Sequence, residues 1–430
     1  MIDIKRIREN PELIIKKLEK RLPGGFSDDI ERITKLDSER RQMLVKINNM
    51  KAERNAVSDT IPGMKKEGKD VEPVLRSMRD LGSLIDGIEQ DLKSVESLLD
   101  ELLNSLPNLP DDDLAAGGKE NNTELRVFGK VPEFDFPLRS HIELCEKLNL
   151  IDYKRGVKLG GNGSWLYRND GTRLEWALLN FFIDQHIKDG YEFVLPPHML
   201  NWECGYGAGQ FPKFSDEVYH IANPSSDEKK FLLPTAETAL VNIHRDEILT
   251  KAELPKKYIA YTPCYRREAG SYRSEERGMI RGHQFNKVEM VQYTAADESD
   301  TAFEELLKKA ESLMQLLGLC HRVSKLAAGD VSASMARTYD IEVWIPSIGI
   351  FKEVSSVSNA RDFQARRGNI RYRNDAGTLE FAHTLNGSGL ATSRVFPAII
   401  EQYQNSDGSV RIPDVLVSYM GGQTELTGSR

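Results

Sequence analysis

Cysteine is scarce in this chain: four in 430 residues, at positions 145, 204, 264 and 320, with no Cys-x-x-Cys pair. That excludes a disulfide framework and a zinc knuckle, and predicts packed, reduced thiols in a cytoplasmic protein. No run of about 18 apolar residues occurs, so no transmembrane helix is expected. Charges at Asp3, Lys5, Arg6, Arg8, Glu9 and Glu12 exclude a secretory signal. Positive charge is not in excess either: 58 Lys and Arg face 66 Asp and Glu, for a net charge of −8. A protein that binds nucleic acid over its whole surface is excluded, and any RNA contact must use local basic patches. Also missing is Gly-x-x-x-x-Gly-Lys-Ser/Thr, and the stretch from Gly160 to Ser164 completes no dinucleotide fingerprint. A bound nucleotide would have to be held by side chains on a sheet. What remains is an ordinary globular composition, 40% apolar and 29% charged, long enough for two or three domains.

The first quarter carries heptads. One seam reads Ile33, Leu36, Arg40, Met43, Ile47, Met50, Arg54, Val57, Ile61; a second reads Val74, Met78, Leu81, Ile85, Ile88, Leu92, Val95, Leu99, Leu102. Two such seams can bury one another. Pro62 and Gly63 between them predict a helix break and a reversal. The expectation is an antiparallel two-helix hairpin over about 27–104, each helix about 30 residues and about 45 Å long. Asn104 to Pro110 ends the second helix, and the polar stretch 111–123 reads as a linker. A hairpin of that length shares little core with a globular body. It suits a probe that reaches a distant surface, or a dimerising coiled coil. Lys46, Lys51, Arg54, Lys65, Lys66 and Lys69 could meet phosphates; interleaved Asp and Glu also suit a solvated face.

From residue 124 the texture changes. Strand-like runs at 193–195, 258–261, 341–345 and 350–354 alternate with helical stretches such as 173–187 and 299–317. The pattern predicts an α+β body with a largely antiparallel sheet. Five charged motifs lie in it. In Pro-Thr-Ala-Glu (234–237), Thr235 and Glu237 share a face and can accept hydrogen bonds from an ammonium group. In Tyr-Arg-Arg-Glu (265–268), the Arg266 fork can hold a phosphate and a carboxylate, and Glu268 can meet an amino group of a base or orient Arg266. Arg281 can reach outer phosphates, Phe285 offers a ring to a base, and Glu289 follows on the same face. Glu353-Val354-Ser355-Ser356 can ligate Mg²⁺ bridging phosphates. Asn386-Gly-Ser388-Gly runs into a helix whose first turn carries Arg394, placed to clamp a terminal phosphate. Each motif alone also suits an ordinary loop or a strand salt bridge. Together they suit a site that holds ATP beside an amino acid.

The arm and the order and spacing of these motifs resemble the seryl-tRNA synthetases, a class II aminoacyl-tRNA synthetase family, over essentially the whole chain. Pro-Asn-Leu-Pro (107–110), Gly-Gln-Phe-Pro-Lys-Phe (209–214), Ser-Asn-Ala-Arg-Asp-Phe-Gln-Ala-Arg-Arg (358–367) and His-Thr-Leu-Asn-Gly-Ser-Gly (383–389) are similar too. The resemblance implies residues 1–106 as a tRNA-binding domain whose arm grips the variable arm of serine tRNA, a linker at 107–123, and a catalytic domain at 124–430 that works as a homodimer. It identifies 190–197 with motif 1, which builds the dimer interface, 265–289 with motif 2 and 386–400 with motif 3. It implies activation of L-serine by ATP with Mg²⁺, then transfer to tRNA. Arg266, Glu353 and Arg394 would be catalytic. Thr235, Glu237, Arg266, Glu289, Asn386 and Ser388 would bind serine. Arg266, Glu268, Arg281, Phe285, Glu353, Val354, Ser355, Ser356 and Arg394 would bind ATP, with Glu353 and Ser356 on the metal.

Some stretches depart from the family. The usual Gly-Ser-Ala-Gly-Arg-Asp-Thr-Arg-Gly of the motif 2 loop is replaced by the sequence at 270–278. Gly282 stands where a small aliphatic residue is usual. The stretch 160–165 differs from Ser-Gly-Ser-Arg-Phe, and Trp176 and Trp202 are unexpected. These changes fit a specialised paralogue for self-resistance or biosynthesis as well as a housekeeping enzyme. The retained Arg266, Glu289, Glu353 and Arg394 argue against a non-charging RNA-binding homologue.

Overall fold

Apolar spacing decides the elements, and a computed structural model describes residues 1–222, 227–268 and 278–428. The chain forms two compact units, residues 2–107 and residues 108–430 with Met1.

The first unit holds short helices α1 (Ile4–Glu9) and α2 (Pro11–Glu19), then the long α3 (Ser27–Lys66) and α4 (Glu72–Ser105). The heptad seams meet: Ile47, Ile85 and Leu92 are buried, with Met43, Met50, Leu81 and Ile88 packed against them. One expectation is corrected. Pro62 does not end the first helix but lies inside it, and α3 runs for 40 residues. Proline removes one N–H and crowds the carbonyl four residues back; here that carbonyl belongs to the exposed Ser58, which water can reach. The reversal falls at Gly68 instead. Its φ of +68° supplies the left-handed step that ends the helix, and Lys69 N bonds back to Met64 O at 3.0 Å. Arg40 of the seam pairs with buried Asp37 (3.4 Å), which also holds Arg8 (2.7 Å) and Arg41 (3.1 Å).

The second unit is built on an eight-stranded sheet: β1 (Thr123–Phe128), β2 (Glu192–Phe193), β3 (Lys256–Tyr265), β4 (Gln284–Thr294), β5 (His321–Lys325), β6 (Arg337–Ile345), β7 (Ile350–Arg361) and β8 (His383–Ala391). The spatial order is β1-β5-β6-β7-β8-β4-β3-β2, antiparallel throughout except for the parallel β2–β3 edge. Its longer helices are α5 (Tyr153–Gly160), α6 (Asn169–Lys188), α7 (Ser299–Leu316) and α8 (Thr392–Gln402). Leu174, Leu178 and Phe182 recur every four residues on α6, as Phe303, Leu307 and Val395, Ile399 do on α7 and α8; all are buried in one core with the sheet. This is the α+β antiparallel architecture expected.

The polar stretch read as a linker is tied into the body. Asn108 N and Asp111 N donate to Ala333 O and Ala336 O at 2.7 and 3.0 Å, Asp111 pairs with Arg361 at 2.7 Å, and Leu114 is buried against Leu326 and Val331. A few apolar and charged anchors suffice to fix a segment whose composition is that of a loop. The unexpected tryptophans stack locally, Trp202 on Phe211 (4.3 Å between centroids) and Trp176 near Tyr261 (5.7 Å).

Candidate active site

The site sits where β4, β7 and β8 meet the start of α8. Strand β4 pairs with β3 without interruption, so alternate residues Phe285, Lys287 and Glu289 share one face. Opposite them on β8, Glu289 faces Ser388 in the register, and Asn386 lies two residues earlier. A β-bulge shapes β7. Between Glu353 and Ser355 that strand carries one residue more than β6, with Ser355 opposite Ile341 and Glu353 opposite Glu342. The bulge puts Glu353 and Ser356 together: Ser356 Oγ donates to Glu353 Oε1 at 3.1 Å and to Asp340 Oδ1 at 2.6 Å. Ser355 falls on the other side. Its hydroxyl is buried and donates to Ser388 O at 2.7 Å, a tie between β7 and β8.

A pocket and an adjoining buried cluster result. The pocket is lined by Arg266, Glu268, Arg281, Phe285, Lys287, Glu353, Val354, Ser388 and Arg394, among others. Arg266 lies over the Phe285 ring, 5.2 Å from its centroid, and donates to Pro234 O at 3.3 Å. Arg281 pairs with Glu268 at 2.6 Å. Arg394 leaves the first turn of α8 to reach Glu353 O at 2.7 Å and the Glu353 carboxylate at 3.4 Å. Burial pushes the Glu353 carboxyl up, but Arg394 and Arg266 outweigh it and hold it below the ordinary range. Asp340 moves the other way: burial, then the charge of Glu353, raise it well above the carboxylate range. Asp340, Glu353 and Ser356 offer oxygen donors alone, the donor type Mg²⁺ takes together with phosphate oxygens.

Beside the pocket lies a buried polar cluster that shares Lys287 with the pocket lining. Lys287 Nζ donates to Thr235 Oγ1 at 2.8 Å and forms an ion pair with Glu289; Thr235, Lys287 and Glu289 are all buried. Glu237 stands beside them, accepting from Gln364 Nε2 at 2.8 Å, and Gln364 is fixed in turn by Thr384 Oγ1 at 2.6 Å. Burial and the neighbouring Glu289 push the Glu237 carboxyl up to about 7. Asn386 is buried with its amide 3.8 Å from Met335 Sδ. Two acidic groups and a hydroxyl thus gather around one cation, Lys287.

Sequence reasoning missed Lys287, Gln364 and Asp340. Lys287 was within reach, because it lies midway between Phe285 and Glu289 on an alternating strand. On the arm, Lys46, Lys65 and Lys66 are exposed, while Lys51 is engaged across the hairpin with Glu89 at 2.6 Å; Arg54 is half-buried on the seam. The unusual motif 2 loop, 271–277, lies outside the described residues.

Comparison with known proteins gives the same picture. Residues 1–110 match the family model described as seryl-tRNA synthetase N-terminal domain, and 219–403 match tRNA synthetase class II core domain (G, H, P, S and T). A serine–tRNA ligase of Petrotoga mobilis is 46% identical over 98% of this chain and 99% of its own length. Serine–tRNA ligase 2 of Clostridium acetobutylicum is 64% identical over 74% of this chain and 76% of its own. Among solved structures, seryl-tRNA synthetase from Pyrococcus horikoshii complexed with ATP superposes with a TM-score of 0.93 at 35% identity, covering 99% of both chains.

Proposed function

The chain belongs to the seryl-tRNA synthetase family, and on that premise we propose how its residues divide the work of an ATP-dependent serine–tRNA ligase. The arginine-lined pocket takes ATP. Phe285 stacks on adenine, Glu268 meets its amino group, Arg281 holds the outer phosphates and Arg394 the γ-phosphate. The buried cluster takes serine: Thr235 and Glu237 accept from its ammonium, while Glu289, with Ser388 and Asn386, reads its hydroxyl. A site built to bond a hydroxyl rejects analogues that lack one. Lys287 keeps Glu289 in place as acceptor.

Arg266 lies between the pocket and the cluster and aligns the serine carboxylate with the α-phosphorus. A carboxylate oxygen attacks in line, the bond to the β-phosphate oxygen breaks, and pyrophosphate leaves. The protein contributes position and charge stabilisation, which this transfer chiefly needs. Glu353 and Ser356, with Asp340 behind Ser356, would hold a Mg²⁺ that offsets phosphate charge. A hydroxyl of the 3′-terminal adenosine of tRNA then attacks the seryl carbonyl and releases AMP.

The observation that carries this reading is the Thr235–Lys287–Glu289 cluster, whose Lys287 and Glu289 stand on the strand that also carries Phe285. Amino-acid-dependent ATP–pyrophosphate exchange across the standard amino acids tests it. Exchange with serine is expected; exchange with another amino acid in preference would refute the assignment of the buried cluster.

The hairpin is the tRNA probe in this reading, with Lys46, Lys65 and Lys66 as exposed cations for phosphates. The protein works as a homodimer through the β2 edge, where Phe193 and Leu195 are 39% and 71% exposed. Four free cysteines suit a reducing, cytoplasmic setting. Light scattering of the purified protein tests the dimer.

A further inference from the structure

We propose that Trp165 and Gly282 are a matched pair of positioning residues that set the wall of the ATP pocket. The proposal rests on the assignment of that pocket to ATP.

Gly282 lines the pocket beside Ile280 and Arg281. On its far side stands the Trp165 indole. A Cβ added at 282 would lie 2.2 Å from Trp165 Cζ3, 2.7 Å from Cη2 and 2.8 Å from Gly163 O. The ring therefore occupies the place of any side chain at 282. The half-buried indole meets Tyr167 edge-on at 6.3 Å, and Tyr167 meets Phe396 of α8 at 5.8 Å, contacts that a displaced ring would give up.

The same segment is stitched to the strand that follows. His283 N donates to Gly163 O at 3.3 Å, and Arg266 N donates to His283 O at 3.0 Å. His283 Nδ1 is 3.1 Å from Arg266 O. Arg394 Nε reaches Ile280 O at 3.5 Å. A displacement at 282 is thus passed to Arg266 by one flank and to Arg394 by the other. The buried cluster of Thr235, Glu237 and Glu289 meets this path only at Arg266, whose Nε donates to Pro234 O at 3.3 Å. Such a pair disturbs nucleotide binding, through Arg266 and Arg394 together, more than amino-acid binding, which it reaches through Arg266 alone.

The experiment is a double-mutant cycle on the full chain with Gly282→Ala and Trp165→Phe, reading KM for ATP and for serine by pyrophosphate exchange, with melting temperature alongside. Trp165→Phe removes the six-membered ring of the indole, whose Cζ3 and Cη2 block position 282. Gly282→Ala is expected to raise the ATP KM about tenfold with the serine KM within about threefold, and the double variant to return the ATP KM to within about threefold of Trp165→Phe alone. Should Gly282→Ala fail to fold, a folded and active double variant carries the same conclusion. Effects that simply multiply in the double variant, an unchanged ATP KM in Gly282→Ala, or a double variant that also fails to fold would overturn the proposal. The pocket itself is tested apart from the pair. If Arg394→Ala keeps the wild-type rise in melting temperature with ATP, the assignment of the pocket falls; if it loses that rise while the cycle shows no coupling, only the matched pair falls.

Discussion

Glu237 gives the sharpest test of the serine site, because its carboxyl titrates in an accessible range. Burial and the charge of Glu289 raise it from the ordinary 4.5 to about 7. That rise corresponds to about 3 kcal/mol of preference for the neutral acid in the free site. Serine brings an ammonium, which favours the ionised form. Apparent affinity therefore scales with the ionised fraction, about a tenth at pH 6 and about nine-tenths at pH 8, so the serine KM falls about tenfold across that window. The sign for folding is opposite. A raised pKa gives stability that is present at low pH and lost as pH rises through about 7, so this group makes the free protein less stable between pH 5 and 8, and serine reverses the loss. The assay is initial-rate pyrophosphate exchange against serine at saturating ATP, from pH 6 to 8. Glu237→Gln should weaken serine binding and flatten the profile. Glu289→Gln removes the neighbouring charge and should move the inflection to lower pH. A flat wild-type profile, or a Glu237→Gln profile with the wild-type slope, would refute the account.

Other consequences follow from the same geometry. Arg394→Ala should abolish adenylate formation, since Arg394 holds Glu353 and, in the function proposed, the γ-phosphate of ATP; pyrophosphate exchange near the wild-type rate would contradict this. Removing residues 30–104 should spare exchange and eliminate charging of serine tRNA, and full charging by the shortened chain would show that the hairpin is not the tRNA probe. Asp37→Ala should lower stability by about 1–3 kcal/mol, measured by urea denaturation, because it strips the partner from Arg8, Arg40 and Arg41. Burial raises the Asp37 carboxyl, but those guanidiniums outweigh it, leaving it below the ordinary 3.8. Its contribution is present above pH 3.8 and is lost as the pH falls further; a variant as stable as wild type at pH 7 would count against it.

What could be read from sequence divides along physical lines. Heptads are local, so the hairpin was legible, and period-two alternation is local, so Phe285 and Glu289 could be put on one face. Lys287 was legible by the same rule. Pro62 misled because a propensity rule was applied without solvent: on an exposed helix face the orphaned carbonyl can turn to water, and the left-handed step waits for Gly68. Asp340 and Gln364 had no local signal. Asp340 reaches Ser356 only because β6 and β7 pair in one register, and Gln364 reaches Glu237 across 127 positions. The bulge in β7 is the most instructive case. Strict alternation would group Glu353 with Ser355 and set Ser356 apart. One extra residue reverses this, bringing Glu353 and Ser356 together and turning Ser355 into the sheet. Removing that residue, as in deletion of Val354, would shift Glu353 relative to Ser356 and Asp340. Exchange should then be lost in a chain that still melts cooperatively, and a deletion variant with normal exchange would show that the bulge does not organise the carboxylates.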